Sequence, residues 1–324
     1  MDPLLPINMP CEATTKQVIV ILGPTASGKS ALALSVARKI GAEIISADSR
    51  QIYRELDIGS AKPSRDVLRE IKHHFVDEKS IGEPFTAGDF ATEAVQRIQD
   101  IHKRGKAAVV AGGSTLYLEG LLEGFADLPA ADPVIRARLL EEMEREGKEA
   151  LFERLRQLDP DQAGTLDATK SQRLIRSLEI IEITGRPVTA LQAEKNKRQP
   201  SISYTSVALS MPRERLYERI NRRTDEMIEA GLCNEAEMLY HRYHELLECG
   251  KTSALQSVGY QELFQYFQGK IALPAAITLI KQHSRNYAKR QLTFFKNRLN
   301  VNWITAPESN DELEVLANRL SGTR

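Results

Sequence analysis

The stretch VIVILGPTASGKS at 18–30 restricts what this chain can fold into more than any other. VIVIL (18–22) is an unbroken apolar run of the kind a fully buried strand needs. It leads into Gly23, and Gly28 is followed at once by Lys29 and Ser30. ALALSVARKI (31–40) then spaces its apolar residues as a helix does, with Gly41 as its stop. Strand, glycine-rich turn and helix in that order satisfy the phosphate-loop pattern G-x-x-x-x-G-K-[ST] at every fixed position. The glycines let backbone N–H groups turn inward, and the helix N-terminus adds partial positive charge. Gly23, Pro24, Thr25, Ala26, Ser27, Gly28, Lys29 and Ser30 are therefore the predicted anion-binding residues. Lys29 reaches terminal phosphate oxygens, and the Ser30 hydroxyl is the expected ligand of a Mg²⁺ cofactor. The expected ligand is a di- or triphosphate.

At 324 residues the chain has room for one α/β core and a further module. No apolar run approaches the ~18 residues of a membrane span, and the first residues lack a secretory signal, so no membrane association is expected. Cys11, Cys233 and Cys249 have no C-x-x-C spacing, and His241, His244 and Cys249 lack a fourth metal partner. A reduced, cytoplasmic setting follows.

Alternation of elements defines the organisation. AEIISA (42–47) reads as a buried strand ending at Asp48–Ser49, and a turn-rich segment follows to HHFVD (73–77). A helix starts near Thr86, with Asp89 completing a capping-box pattern, and stops at Gly105. KAAVVAGG (106–113) is a further strand and turn. Strands alternating with helices imply a parallel sheet flanked by helices, with ligands at the carboxyl ends of strands. Gly23–Ser30, Asp48–Gln51 and Gly112–Thr115 all fall there and are expected to face one cleft. From about Asp127 the sequence is charged and helical, with helices predicted over Pro133–Glu146, Lys148–Leu158 and Ser171–Ile183. ISYTSVALSM (202–211) restores a strand pattern, followed by a long helix to Ala230. The expected division is a catalytic core of 1–126 and 198–324 interrupted by an all-helical insertion, 127–197.

The net charge of zero hides an asymmetry: residues 263–307 contain no acidic side chain. Lys270, Lys281, Arg285, Lys289, Arg290, Lys296 and Arg298 lie in that stretch, with Tyr287, Phe294 and Phe295 interleaved. A helix from Pro274 would line up 281, 285 and 289 as a basic stripe. A solvated face is the plain alternative, but the pattern fits contact with a polyanion.

Residue types alone leave the chemistry open. Asp48 could ligate Mg²⁺, cap a helix or act as a general base beside an amine. A small-molecule kinase would need arginines closing over a phosphate, and Arg222 with Arg223, or Arg173 with Arg176, could serve.

GPTASGKS (23–30), SADSRQIY (46–53) with LDIGSAKP (56–63), HHFVD (73–77), GGSTLY (112–117), QRLIRSLEI (172–180), SVGYQE (257–262) and RNYAKRQLTFF (285–295) occur in this order. Together, over roughly residues 17–299, they resemble the tRNA dimethylallyltransferases, and the bacterial branch most. The resemblance implies an α/β fold of phosphate-loop NTPase type whose loop holds the diphosphate of dimethylallyl diphosphate and hydrolyses no ATP. It implies prenyl transfer to the exocyclic amine of the adenosine beside the anticodon, at position 37; a monomer is expected, though the sequence itself does not specify the oligomeric state. On it, Asp48 is the general base, Thr25 adds a hydroxyl contact and Arg223, rather than Arg222, binds diphosphate. Asp48, Ser49, Arg50, Gln51, Ser114, Arg136, Gln172, Arg173, Leu174, Ile175 and Arg176 match positions that contact tRNA. Arg285, Lys289 and Arg290 extend that contact along the basic helix. The target adenine must leave its stack, which a single-stranded anticodon loop makes less costly than a duplex.

The sequence departs from the family pattern at Arg50, where an apolar residue is usual, at Ser60 for threonine, at Asn286 for arginine and across LDATKSQR (166–173). The C-terminal zinc finger of eukaryotic relatives is not expected. Three other readings remain: an adenylate isopentenyltransferase acting on a free nucleotide, a phosphate-loop kinase or NTPase, and a non-catalytic RNA-binding protein. The insertion and the basic stretch argue against the first, the C-terminal motifs against the second, and intact Lys29, Ser30, Asp48 and Arg223 against the third.

Overall fold

The structure is a computed structural model and describes residues 17–166, 171–194, 202–248 and 254–322. Two compact units are present, one of Met1–Leu122 with Pro200–Arg324 and one of Glu123–Gln199. Cys11, Cys249 and Lys170 lie outside the described residues.

The larger unit is built on six parallel strands. These are β1 (Gln17–Leu22), β2 (Glu43–Ala47), β3 (His73–His74), β4 (Ala108–Gly112), β5 (Ser203–Ser210) and β6 (Asn302–Thr305). Their order across the sheet is β3-β2-β4-β1-β5-β6, which makes β1 a central strand. Strand alternation sends Val18, Val20 and Leu22 to one face and Ile19 and Ile21 to the other, and all five are buried. The first face packs Phe90, Ile98, Leu239, Ile280 and Phe295, contributed by helices Ala87–Lys103, Leu232–Arg242 and Leu273–Arg298. The second packs Leu32, Val36 and Leu320, from helices Lys29–Ile40 and Asn310–Ser321. Covering both faces is why the central strands are apolar throughout rather than alternating.

Local signals set the helix ends. Thr86 and Asp89 form the capping box, with the Asp89 amide donating to Thr86 Oγ1 at 3.1 Å and the Thr86 amide donating to Asp89 at 2.8 Å. The long helix after β5 runs Arg213–Glu229, close to its predicted end. β6 and the Asn310–Ser321 helix were not legible in the sequence: a four-residue strand carries no periodicity.

The smaller unit is helical over its described residues, with helices Pro133–Glu146, Lys148–Leu158, Pro160–Thr165, Ser171–Thr184 and Val188–Ala193. Leu139, Leu151, Leu155, Leu174, Ile175 and Leu178 form its core. Among the described residues no helix is long and apolar enough to cross a membrane.

Candidate active site

β1 delivers its chain to the carboxyl edge of the sheet, and the phosphate loop forms there. Ser27 N donates to Pro24 O at 3.2 Å, closing the turn, and Gly28 adopts φ +92°, which suits glycine before the helix opens at Lys29. No acidic residue stands in the first turn of Lys29–Ile40, so its free N–H groups face an anion site unopposed.

Two further segments meet the loop. At the end of β2, Asp48 Oδ1 accepts from Arg50 N at 2.9 Å, forming a side-chain-capped turn rather than a helix cap. Asp48 Oδ2 makes no hydrogen bond among the described residues. Ser114 holds this turn: its Oγ accepts from Ser49 N at 2.8 Å and its amide donates to Ala47 O at 3.1 Å. Gln51 is turned inward, accepting from Ser46 Oγ at 2.9 Å and donating to Ala61 O at 3.1 Å. Gly112 ends β4 so close to β2 that a Cβ there would lie 2.1 Å from Ala47 O.

A cavity of about 300 Å³ lies among these segments, lined by Thr25, Asp48, Ser49, Arg50, Arg223 and Arg290 on its polar side. Ile220, Met227, Leu232, Val258 and Ile280 supply an apolar wall. Arg223 Nη1 donates to Thr25 Oγ1 at 3.0 Å. The Lys29 ammonium donates to Pro24 O at 3.2 Å. Desolvation, and then the Arg223 charge, push its pKa down to about 8 against the pull of Asp48. Arg223 is likewise shifted down by desolvation, with Asp48 opposing. Two cations brought together with little water and one nearby carboxylate form a site with surplus positive charge, which an anion would relieve. On the outer side of the loop, Gly28, Lys29 and Ser30 border a second hollow with Arg219, Arg222 and Arg223.

The fold thus brings Gly23–Ser30, Asp48–Gln51, Ser114 and Arg223 together in the larger unit. Packing divides the basic stripe. Lys281 pairs with Asp225 at 2.6 Å, and Arg285 donates to Asn221 at 2.7 Å and lies over the Tyr217 ring, both facing helix Arg213–Glu229. Lys289 and Arg290 remain exposed, bordering a shallow groove with Phe294 and Arg298. In the helical unit, Gln172 and Arg173 are exposed. Leu174 and Ile175 have their side chains in that unit's core, where apolar burial outweighs exposure. Arg136 and Arg176 both donate at 2.8 Å to Glu179, which is fully buried and held below the usual carboxylate range by these bonds despite its desolvation.

Sequence reasoning missed two supports of the site. Glu235 accepts from the amides of Asp57, Ile58 and Gly59 at 3.2, 2.8 and 3.0 Å and from Tyr260 Oη at 2.6 Å, fixing the turn that carries Gly59 and Ser60 into the cavity. Gln291, buried within RNYAKRQ, bonds the phosphate loop itself. Its position, between Ala288 and Phe295 on the apolar register of its helix, was the available signal.

A parallel α/β sheet with a phosphate loop at a central strand, and a carboxylate and an apolar wall in the adjoining cavity, defines a protein of the phosphate-loop α/β class. The IPP transferase family model matches residues 51–298, and the chain belongs to that family of transferases. A "tRNA dimethylallyltransferase" of Pelodictyon phaeoclathratiforme is 68% identical, covering 96% of this chain and 98% of that protein. One of Chlorobium limicola is 65% identical over 90% and 92%. The full-length tRNA isopentenylpyrophosphate transferase of Bacillus halodurans superposes with TM-score 0.67 at 35% identity, covering 95% of this chain and 96% of that one. A eukaryotic dimethylallyltransferase, solved acting on tRNA, gives TM-score 0.78 at 28% identity over 90% and 74%.

Proposed function

We propose that this protein transfers the dimethylallyl group of dimethylallyl diphosphate to the exocyclic N6 amine of the adenosine 3′ of the anticodon in tRNA, as a cytoplasmic monomer. The observation that carries the reading is that one cavity is lined by the phosphate-loop threonine, its arginine partner, the Asp48 turn and an apolar wall. A phosphate-loop kinase needs no such wall beside a carboxylate.

In the reaction a carbon–nitrogen bond forms at the allylic carbon, and the carbon–oxygen bond to diphosphate breaks with its electron pair leaving on oxygen. Lys29, Arg223, the Thr25 hydroxyl and the loop amides stabilise the charge that develops there. The adenine amine is a weak nucleophile because its lone pair is delocalised into the ring. Asp48 takes its proton as the new bond forms. Ile220, Met227, Leu232, Val258 and Ile280 hold the prenyl group and keep water from the reacting carbon.

Ser30, its hydroxyl exposed and no acidic residue in its helical turn, would hold the Mg²⁺ beside the bound diphosphate. When bound, the ion would neutralise charge on the departing diphosphate. Lys289 and Arg290, with Arg173 and Gln172 of the helical unit, are the proposed tRNA contacts.

The test incubates purified protein and Mg²⁺ with radiolabelled dimethylallyl diphosphate and either unmodified tRNA or AMP. Label in tRNA is expected. Label in AMP alone would make this a nucleotide prenyltransferase, and label in neither, with ATP turnover, would make it a kinase or NTPase.

A further inference from the structure

The helix Leu273–Arg298 buries Ala276, Ile280, Ala288, Gln291 and Phe295, and Gln291 is the one polar side chain among them. It is 2% exposed. A primary amide placed in such a setting is unfavourable unless its hydrogen bonds are met, so its partners identify what it is for. Gln291 Oε1 accepts from the main-chain N of Thr25 at 2.9 Å, and Gln291 Nε2 donates to Gly113 O at 2.7 Å. The amide is thus spliced between the phosphate loop and the turn after β4, two segments nearly ninety residues apart in sequence. The fit is tight: a Cβ at Gly113 would lie 2.5 Å from Gln291 Nε2 and 3.3 Å from Gly23 O.

Both partners belong to the reactive end of the site. Thr25 is the residue whose hydroxyl receives Arg223. The residue after Gly113 is Ser114, which holds the Asp48 turn through Ser49 N. One side chain therefore sets the spacing between the loop and the turn that carries Asp48. It does so from a helix whose two preceding residues, Lys289 and Arg290, are exposed. We propose that Gln291 is a positioning residue for the transfer reaction, fixing the phosphate loop at Thr25 to the Gly113 turn. The inference rests on the reading that the loop holds the donor's diphosphate.

The test uses the full-length protein with Gln291→Met, which keeps volume but neither bond, and Gln291→Glu, which keeps the acceptor for Thr25 N but sets an oxygen against Gly113 O. Donor KM and kcat, calorimetric affinity for inorganic diphosphate with Mg²⁺, and tRNA affinity are measured for each. Gln291→Met is expected to weaken donor and diphosphate affinity about ten-fold or more, with tRNA affinity within about two-fold. Gln291→Glu is expected to show the donor defect at pH 8 and lose part of it toward pH 6. There the buried carboxyl takes a proton and donates to Gly113 O again, a recovery read as the ratio of variant to parent at each pH, which removes the parent's own dependence on Lys29.

Donor and diphosphate affinities at parental values in both variants would overturn the inference, as would a matching loss of tRNA affinity. If Gln291→Met does not fold, Gln291→Glu decides: pH-dependent recovery supports the role, and its absence overturns it. A parent that itself fails to bind diphosphate would instead overturn the loop reading on which the inference stands.

Discussion

At the scale of single residues, the two charged groups closest to the proposed chemistry make opposite demands on a test. Asp48 has a structural task as well as a chemical one, because its Oδ1 accepts from Arg50 N. Asp48→Asn keeps that acceptor while removing the base. Turnover is expected to fall by about a hundred-fold or more in both Asp48→Asn and Asp48→Ala, with tRNA affinity nearly unchanged. Near-parental single-turnover rates in Asp48→Asn would make the residue a turn former only. Lys29 is tested by pH. Its pKa in the free protein is lowered to about 8, chiefly by desolvation, so the cation that meets diphosphate is lost as pH rises through that value. The donor's kcat/KM should therefore decline above about pH 8, and Lys29→Arg, charged throughout, should abolish that limb. Both residues were named from sequence because a phosphate loop and a strand-end carboxylate are local patterns. Gln291 and Glu235 were not, because their partners lie far away in the chain.

At the scale of elements, the basic helix shows how packing divides a charge run. Its cations read alike in sequence, yet Lys281 and Arg285 are occupied by Asp225 and Asn221 of the neighbouring helix, while Lys289 and Arg290 stay in solvent. Replacing Lys289 and Arg290 with alanine should weaken tRNA binding and lower the slope of log K against log salt by about 1.5. Lys281→Ala should leave that slope at its parental value and cost only a little stability, as exposed pairs do. Equal slopes for all variants would return the helix to a solvated face. Helix ends, by contrast, were legible: the Thr86–Asp89 capping box and the stop at Gly105 follow from chemistry within a few residues.

At the scale of the whole molecule, the strand ends opposite the site carry a separate charge cluster. Glu43, 3% exposed at the start of β2, accepts from His74 at 2.8 Å and Arg104 at 2.7 Å, with Lys106 at 3.3 Å. Burial works against its charge, but these bonds outweigh it and hold its pKa at about 2, below the ordinary 4.5. The stability this provides is complete above about pH 4.5 and is lost as pH falls toward 2. His74 is kept neutral, mainly by desolvation, and adds a penalty below its ordinary 6.5. Glu43→Gln should lower unfolding free energy at neutral pH by about 1–3 kcal/mol and flatten the acid limb below pH 4.5, with donor KM unchanged. A steep acid limb that survives the substitution would place acid sensitivity elsewhere.

Sequence by itself determined what is decided within one element. The phosphate loop, the buried parallel strands, the helices Pro133–Glu146 and Lys148–Leu158 and the strand-end placement of Asp48 all follow from periodicity, glycine positions and spacing. Tertiary structure alone decided the order of the strands, the pairing of β6, and which cations of the basic helix are free. It also put Leu174 and Ile175 inside the helical unit and set Gln291 between Thr25 and Gly113. Those outcomes depend on which distant surfaces meet, and a hydrogen bond spanning more than a hundred residues leaves no local pattern at either end.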